Sequence, residues 1–179
     1  MTFTFMKKIF IISILLHAGL CFDTRGQHMN IRRYSIEDGL VNNDVLNIYQ
    51  DSYGFIWLCT RGGLSRYDGS RFTNFTTDNG LADDMINDIV EIAPKEFIMA
   101  QNSGGPVLLK NDSLKPFSSN KNMVINSFYI TGNRRLLAVT DFDGIVEMDS
   151  GRFRSLKPNH PDLVSKITLL NDSVWLLLK

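Results

Sequence analysis

Short runs of apolar or alternating residues follow one another along most of the chain after residue 40. They are rich in β-branched and aromatic residues, and glycine-containing turns such as Asp51–Gly54, Arg61–Gly63 and Asp68–Gly69 separate them. Sustained helical spacing with caps is missing, which disfavours a solenoid of helix pairs. The pattern predicts an all-β chain, with helix confined to the N-terminal segment and strands near Val45–Tyr49, Phe55–Thr60, Leu64–Tyr67, Phe72–Phe75, Met85–Ile92, Val124–Ile130, Arg135–Thr140 and Val174–Leu178.

The same pattern repeats along the chain. Gly39 falls on Gly80 at an offset of 41 residues, and Phe128 falls on Ile167 at an offset of 39. Four antiparallel strands in a period of about 40 residues are typical of a β-propeller blade. We therefore predict blades of four antiparallel strands in an incomplete ring of about three and a half blades: blade 1 over 41–81, blade 2 over 82–120, blade 3 over 121–160 and a partial blade 4 over 161–179.

The segment before the first blade matches the end of a blade. Ile31 to Leu40 aligns with Phe72 to Leu81, so residues 27–40 are predicted to form the outer strand of a closing blade. Closed propellers typically have four to eight blades, so we expect this chain to be the front piece of a longer protein. An arc leaves strand edges without neighbours, and residues 27–179 expressed alone are expected to be prone to aggregation.

The N-terminus has the layout of a secretory signal. Lys7 and Lys8 precede an apolar run over 9–20, and small Gly26 ends a possible cleavage site. A membrane-spanning helix is the alternative, but the run is shorter than the roughly 20 residues that a span needs. A lipid-anchored Cys21 is disfavoured by the bulky Leu20 before it. We predict a signal peptide over 1–26 and a periplasmic or extracytoplasmic location.

Charge and cysteine content narrow the functional classes. The 19 basic and 19 acidic residues cancel, so the chain lacks the field that attracts nucleic acid. Removal of the signal would leave Cys59 alone, in an apolar run, and we expect a buried and inert thiol rather than a disulfide. No cofactor is expected.

Two stretches in and just before the first predicted blade carry a specific motif. They are Glu37–Val45, with its Gly-Leu entry, and Gln50–Gly69, with Asp-x-x-Gly, Trp-x-x-Thr and Gly-Leu-x-x-Tyr-Asp-Gly. Together they resemble the two-component regulator propeller repeat found in periplasmic sensor regions of bacterial histidine kinases and hybrid regulators. The resemblance weakens in later repeats. Phe97-Ile98 stands in place of the tryptophan in the second repeat, and Trp175 restores the tryptophan in the fourth. It implies a large extracytoplasmic propeller followed by a membrane span and a cytoplasmic kinase or regulator module.

Candidate ligand-binding residues are few. Repeated aromatics such as Trp57 are expected in the core, whereas the non-repeated Tyr53 and Phe142 could contact a ligand. Arg61 could face an anionic ligand, although Arg61 and Arg66 are more easily explained as solvated charges at strand ends. Asp141–Gly144 lacks the further ligands of a calcium loop and is expected to be a plain turn, so no metal site is predicted.

The function follows from the export signal and the blade resemblance. No motif for a catalytic serine, zinc pair or phosphate loop occurs, and no enzyme activity is predicted for this segment, although a full-length protein could carry a histidine kinase. The favoured hypothesis is an extracytoplasmic ligand-sensing region of a two-component sensor. It would bind a small ligand, for example an oligosaccharide, and signal to a downstream kinase or regulator module. An exported protein-interaction scaffold and a polysaccharide-acting propeller enzyme are the alternatives.

Overall fold

The computed structural model describes residues 31–117 and 122–156, and the backbone alone of 164–170 and 173–178. The chain divides into two units, Met1–Arg33 and Tyr34–Lys179. In the first unit only residues 31–33 are described, and they form neither helix nor strand. The predicted signal peptide over 1–26 and the cysteine at position 21 lie outside the described residues. No helix among the described residues has the length and apolar character needed to cross a membrane.

The second unit consists of β-sheets in sequence order. Three sheets have four antiparallel strands each, and a fourth has two described strands. The strands are β1 Val45–Gln50, β2 Ile56–Thr60, β3 Gly63–Tyr67, β4 Phe72–Phe75, β5 Ile86–Ala93, β6 Glu96–Gln101, β7 Val107–Lys110, β8 Ser113–Pro116, β9 Ile125–Ile130, β10 Leu136–Thr140, β11 Gly144–Asp149, β12 Arg152–Ser155, β13 Val164–Leu170 and β14 Ser173–Leu178.

Each sheet is a simple meander in which every strand pairs with its neighbour in sequence. The first strands of successive sheets, β1, β5, β9 and β13, lie next to each other and form the inner side of an unclosed arc of described sheets. This is the arrangement of propeller blades around an axis. The predicted all-β fold of four-stranded antiparallel blades in an incomplete ring is therefore confirmed.

The core lies between the sheets. Strand β6 shows why, because alternate side chains of a strand point to opposite faces. Phe97 and Met99 pack toward the first sheet, and Ile98 and Ala100 pack toward the third. All four are buried, so the second sheet is covered by apolar neighbours on both faces. The fold is thus held by contacts between neighbouring sheets, as in other repeat architectures.

The predicted core residues of the first sheet are buried, as the sequence indicated. Trp57 is 1 % exposed and lies 4.7 Å from the Phe97 ring, between centroids. The Cys59 side chain is fully buried, and burial, followed by the Asp88 carboxylate, raises the pKa of its thiol well above the usual value. A thiol in this environment stays protonated and unreactive. The side chain of Trp175 lies outside the described residues.

One secondary-structure prediction is wrong. Helix is not confined to the N-terminal segment, because 3-10 turns form at Ile36–Asp38 and Thr77–Asn79. In each turn the side chain of the last residue accepts from the backbone N–H of the residue before the turn: Ser35 N–H donates to Asp38 Oδ2 at 2.8 Å, and Thr76 N–H donates to Asn79 Oδ1 at 2.5 Å. Residues 31–40 contain the first of these turns and no strand. The pairing of this segment with a closing blade remains a prediction.

A cleft between the first two sheets

The first turn of the first sheet is organised by one buried carboxylate. Asp51 Oδ1 accepts hydrogen bonds from the backbone N–H groups of Tyr53 (2.9 Å) and Phe55 (3.0 Å). Its Oδ2 accepts a hydrogen bond of 2.9 Å from Trp57 Nε1. Gly54 closes the turn with φ of +88°, a conformation that glycine adopts without strain. These contacts fix the turn so that the Tyr53 side chain projects outward, 54 % exposed.

The neighbouring sheet is fastened to this turn by Glu91. Its Oε2 accepts from the Ser52 backbone N–H and its Oε1 from the Ser52 hydroxyl, both at 2.8 Å. The same carboxylate accepts a longer bond from the Lys95 backbone N–H, at 3.2 Å. Lys95 stands in the tight turn between β5 and β6 with φ of +63°. This geometry brings Lys95 Nζ to 5.1 Å from the centre of the Tyr53 ring.

A second cation joins the two sheets deeper in the cleft. The Arg66 guanidinium lies 5.4 Å from the Trp57 ring and 5.6 Å from the Phe55 ring. Its Nη1 also lies 2.7 Å from Asp112 Oδ1, which belongs to the β7–β8 turn of the next sheet. Asn111 and Asp112 both have positive φ, as the central residues of a type I′ hairpin do. Arg66 is therefore not a solvated strand-end charge, as the sequence suggested, but a half-buried contact between sheets.

Together these groups line a cleft of about 270 Å³ between the first and second sheets. We call it the Tyr53 cleft. Its wall combines aromatic faces with charged groups: Asp51, Tyr53, Phe55, Trp57, Arg66, Lys95, Phe97, Leu109, Asn111 and Asp112. Aromatic surface with a few convergent polar groups is typical of small-molecule sites.

An equivalent cleft lies between the second and third sheets, and its chemistry differs. Arg134 occupies the position of Lys95, and Ile98 the position of Trp57. Most of the lining there is aliphatic or apolar: Ile92, Ile98, Phe117, Ile130, Leu136 and Met148, with Glu91 and Arg134 at the edge. The shape is thus repeated by the fold, whereas the Tyr53 cleft has four aromatic lining residues and the second cleft has Phe117 alone.

The structure separates the three ligand-binding residues predicted from sequence. Tyr53 lines the cleft. Arg61 stands at the opposite end of β2, where its Nε pairs with Asp44 Oδ2 at 2.6 Å. Phe142, 77 % exposed, lies in the β10–β11 turn, which corresponds to the end that carries Arg61. Their roles in ligand binding remain predictions, but Arg61 and Phe142 do not line the Tyr53 cleft.

The stretch Asp141–Gly144 forms a turn, as expected. The Asp141 carboxylate accepts from Asn126 Nδ2 at 2.8 Å, and the Asp143 N–H donates to the Thr140 hydroxyl at 3.0 Å. Within the described residues no cluster of acidic, histidine or cysteine side chains could hold a metal ion.

Sequence reasoning missed Lys95 and Asp112. Each belongs to a short turn of the second sheet and reaches the cleft only because the first and second sheets are neighbours. The alignment of the repeats carries one signal for them, since Lys95 falls on Arg134 at an offset of 39 residues and a cation recurs at that position.

Comparison with known proteins places these observations in a family context. The family model for the two component regulator propeller matches residues 39–62. A curated relative, histidine kinase P4 of Formosa agariphila, is 33 % identical over 69 residues, which cover 37 % of this chain and 5 % of that protein. This chain therefore spans a small part of the relative's length.

Solved structures share the fold. The extracellular domain assigned to the hybrid two component system BT3049 from B. thetaiotaomicron superposes with a TM-score of 0.65 at 23 % identity, covering 76 % of this chain and 22 % of that one. The extracellular domain BT4673 from the same organism gives 0.64 at 20 % identity, covering 88 % and 22 %. PorZ, a surface component of the type-IX secretion system of Porphyromonas gingivalis, gives 0.58 at 16 % identity, covering 75 % and 23 %.

The family-model match falls on the same stretch of sequence that carries the blade motif. The match over 39–62 includes the Gly-Leu entry, the Asp51–Gly54 turn and Trp57. The chain carries a two component regulator propeller repeat in the first of a series of four-stranded propeller blades.

Proposed function

We propose that the chain is part of the extracytoplasmic sensor region of a two-component system and that the Tyr53 cleft binds its ligand. The N-terminal segment over 1–26 would direct export, and a kinase or regulator module elsewhere in the protein or in a partner would receive the signal. The propeller blades bind a ligand and do not catalyse a reaction. The observation that carries the proposal is the pairing of an exposed Tyr53 ring with the Lys95 ammonium in a cleft of small-molecule size.

The charges of the cleft indicate the class of ligand. Arg66 is occupied by Asp112, and Asp51 by the turn and the indole N–H of Trp57. Among the described residues no carboxylate forms a salt bridge with the Lys95 ammonium. An exposed cation above an aromatic face suits a ligand that combines an anionic group with an apolar ring surface. An acidic oligosaccharide meets both requirements.

The position of the cleft offers a physical route for a signal. Its walls come from two sheets joined by Glu91 and by the Arg66–Asp112 pair. A ligand seated there contacts both sheets and favours one angle between them, and a ligand can shift an equilibrium only through such differential contacts. Since every sheet packs on the next, a change of angle is passed along the arc.

The first experiment is a calorimetric titration of the full chain with trigalacturonate, and with maltotriose as the uncharged comparison. Lys95→Gln removes the charge and leaves a polar side chain that is shorter by one atom. We expect it to weaken trigalacturonate binding about ten-fold, the effect of one charge-assisted hydrogen bond. Lys115→Gln is the matched control, because Lys115 is an exposed cation on β8 that does not line the cleft.

Two results would contradict the proposal. One is the absence of trigalacturonate binding, and the other is equal affinity for the wild type and Lys95→Gln. Degradation of the glycan during the titration would favour the enzyme alternative. Retention of a partner protein without any small-molecule binding would favour the scaffold alternative.

A further inference from the structure

The inner strands carry a polar row that the Tyr53 cleft does not use. Each of β1, β5 and β9 has a β-bulge near its beginning, where its pairing with the second strand of the sheet shifts by one residue. A bulge turns an additional side chain out of the ladder. The residues skipped in the pairing are Leu46, Asn87 and Asn126, and the row consists of Asn47, Asp88 and Ser127, each the first residue paired after the shift.

The first two members of the row link neighbouring sheets. Asn47 Nδ2 donates to Asp88 Oδ1 at 2.5 Å, and the Phe128 backbone N–H donates to Asp88 Oδ2 at 2.7 Å. Asp88 is 6 % exposed, so these bonds compensate for burying its charge. One carboxylate therefore connects all three described four-stranded sheets.

Ser127 departs from this pattern. Its Oγ is buried and has no hydrogen-bond partner among the described residues. A buried hydroxyl without a partner is unfavourable and rare in folded proteins, and such groups occur where an additional molecule is bound. Ser127 lines a cleft of about 330 Å³ on the inner side of the arc, between β1, β5 and β9.

Two asparagines complete the polar wall of this inner cleft. Asn87 Nδ2 donates to the Ile125 carbonyl at 2.9 Å, and Asn126 Nδ2 donates to Asp141 at 2.8 Å. These bonds fix both amides and leave their Oδ1 atoms as acceptors. The remaining polar contributors are Asn47 and Asp88, which already bind each other, and Tyr49, whose hydroxyl accepts from the Glu91 N–H at 3.3 Å. The wall therefore offers neutral acceptors and the unpartnered Ser127 hydroxyl.

We infer that the inner cleft is a second binding site, for a small neutral molecule that carries several hydroxyl groups. Ligand hydroxyls donate to Asn87 Oδ1 and Asn126 Oδ1, and rotation of the Ser127 side chain about its Cα–Cβ bond brings its hydroxyl to donate to one of them. A charged ligand does not suit the site, because the amides and the hydroxyl carry no charge and Asp88 already accepts bonds from two other sheets. This site is separate from the Tyr53 cleft and does not depend on the function proposed for it.

The test uses the full chain, labelled with nitrogen-15, and myo-inositol and D-glucose as probes. We expect saturable shifts of the Asn87 and Asn126 side-chain amide signals with at least one probe. Ser127→Ala should weaken that binding about three- to ten-fold, the effect of losing one neutral hydrogen bond. Lys95→Gln should leave the binding unchanged, which separates this site from the Tyr53 cleft.

A thermal measurement without ligand gives an independent readout. Ser127→Ala removes a hydroxyl that has no partner, so its Tm should equal or exceed that of the wild type. Ser65→Ala is the control, because buried Ser65 donates to Asn74 Oδ1 at 2.6 Å and accepts from the Val41 N–H at 3.0 Å, and its Tm should fall. Absence of saturable shifts with both probes would overturn the inference, as would a Ser127→Ala loss of Tm equal to that of Ser65→Ala.

Discussion

Replacing Asp51 by alanine should destabilise the first sheet more than its place in a surface turn suggests. The carboxylate is 7 % exposed and accepts three hydrogen bonds, two from the turn and one from the buried indole of Trp57. An unpaired buried donor costs about 1–3 kcal/mol, and we expect about 1 kcal/mol more from the two turn N–H groups, which water can reach. The expected loss is therefore about 3 kcal/mol in the free energy of unfolding.

Urea unfolding followed by far-UV circular dichroism measures this loss with a signal that does not depend on Trp57. With a slope of about 1–3 kcal/mol per molar urea, the midpoint should fall by roughly 1–3 M. Asp78→Ala is the control, since Asp78 is exposed in the second 3-10 turn, and it should change stability by less than about 0.5 kcal/mol.

A double-mutant cycle isolates the bond between the carboxylate and the indole. Trp57→Phe keeps an aromatic ring in the core and removes the N–H donor. The double variant Asp51→Ala, Trp57→Phe should lose about 1–2 kcal/mol less in free energy of unfolding than the sum of the two single losses. Strict additivity, or a cost for Asp51→Ala below about 1 kcal/mol at unchanged slope, would refute the reasoning.

Two further predictions concern backbone strain and pH. A Cβ at Gly63 (φ +134°) would lie 2.5 Å from the Phe75 carbonyl oxygen, whereas one at Gly69 (φ +97°) meets open space. Gly63→Ala should therefore cost about 3 kcal/mol or more and Gly69→Ala about 1–2 kcal/mol, in urea titrations, and equal costs would contradict the steric argument. Hydrogen bonds from Arg135 lower the pKa of Glu147, so its contribution to stability is present above the unfolded value of about 4.3 and is lost as pH falls through the lower folded value. Glu147→Gln should flatten the midpoint-versus-pH curve in that acidic window, and an unchanged curve would contradict the assignment.

The positions of eight strands were readable from the sequence because they depend on local patterns, whereas β6, β7, β8, β11, β12 and β13 were not placed individually. The predicted Val45–Tyr49 and Val124–Ile130 differ by one residue from the observed Val45–Gln50 and Ile125–Ile130. Glycine and aspartate in the turns and repeated apolar positions in the strands indicate the same boundaries. The 3-10 turns were missed because three residues are too few to show a period, although Ser35 with Asp38 had the spacing of a capping box.

The sites were only partly readable because they depend on neighbouring sheets. Tyr53 was found as an aromatic outside the repeated positions, but its partner Lys95 lies 42 residues later in the sequence. Arg66 was misread because the position of Asp112 opposite it is set by how two sheets pack. The bulges next to Asp88 and Ser127 leave no mark in an apolar pattern, since they shift strand pairing without changing composition.

The position of Asp88 also bears on how tandem units can diverge after duplication. A residue whose contacts stay inside its own unit can change without regard to the neighbouring copies. Asp88 bonds to Asn47 of the preceding unit and to Phe128 of the following one, so a substitution there weakens two interfaces at once. Asp88 and Asn47 are therefore constrained together by their side chains, whereas residue 128 contributes its backbone N–H and can change to any residue except proline without losing the bond.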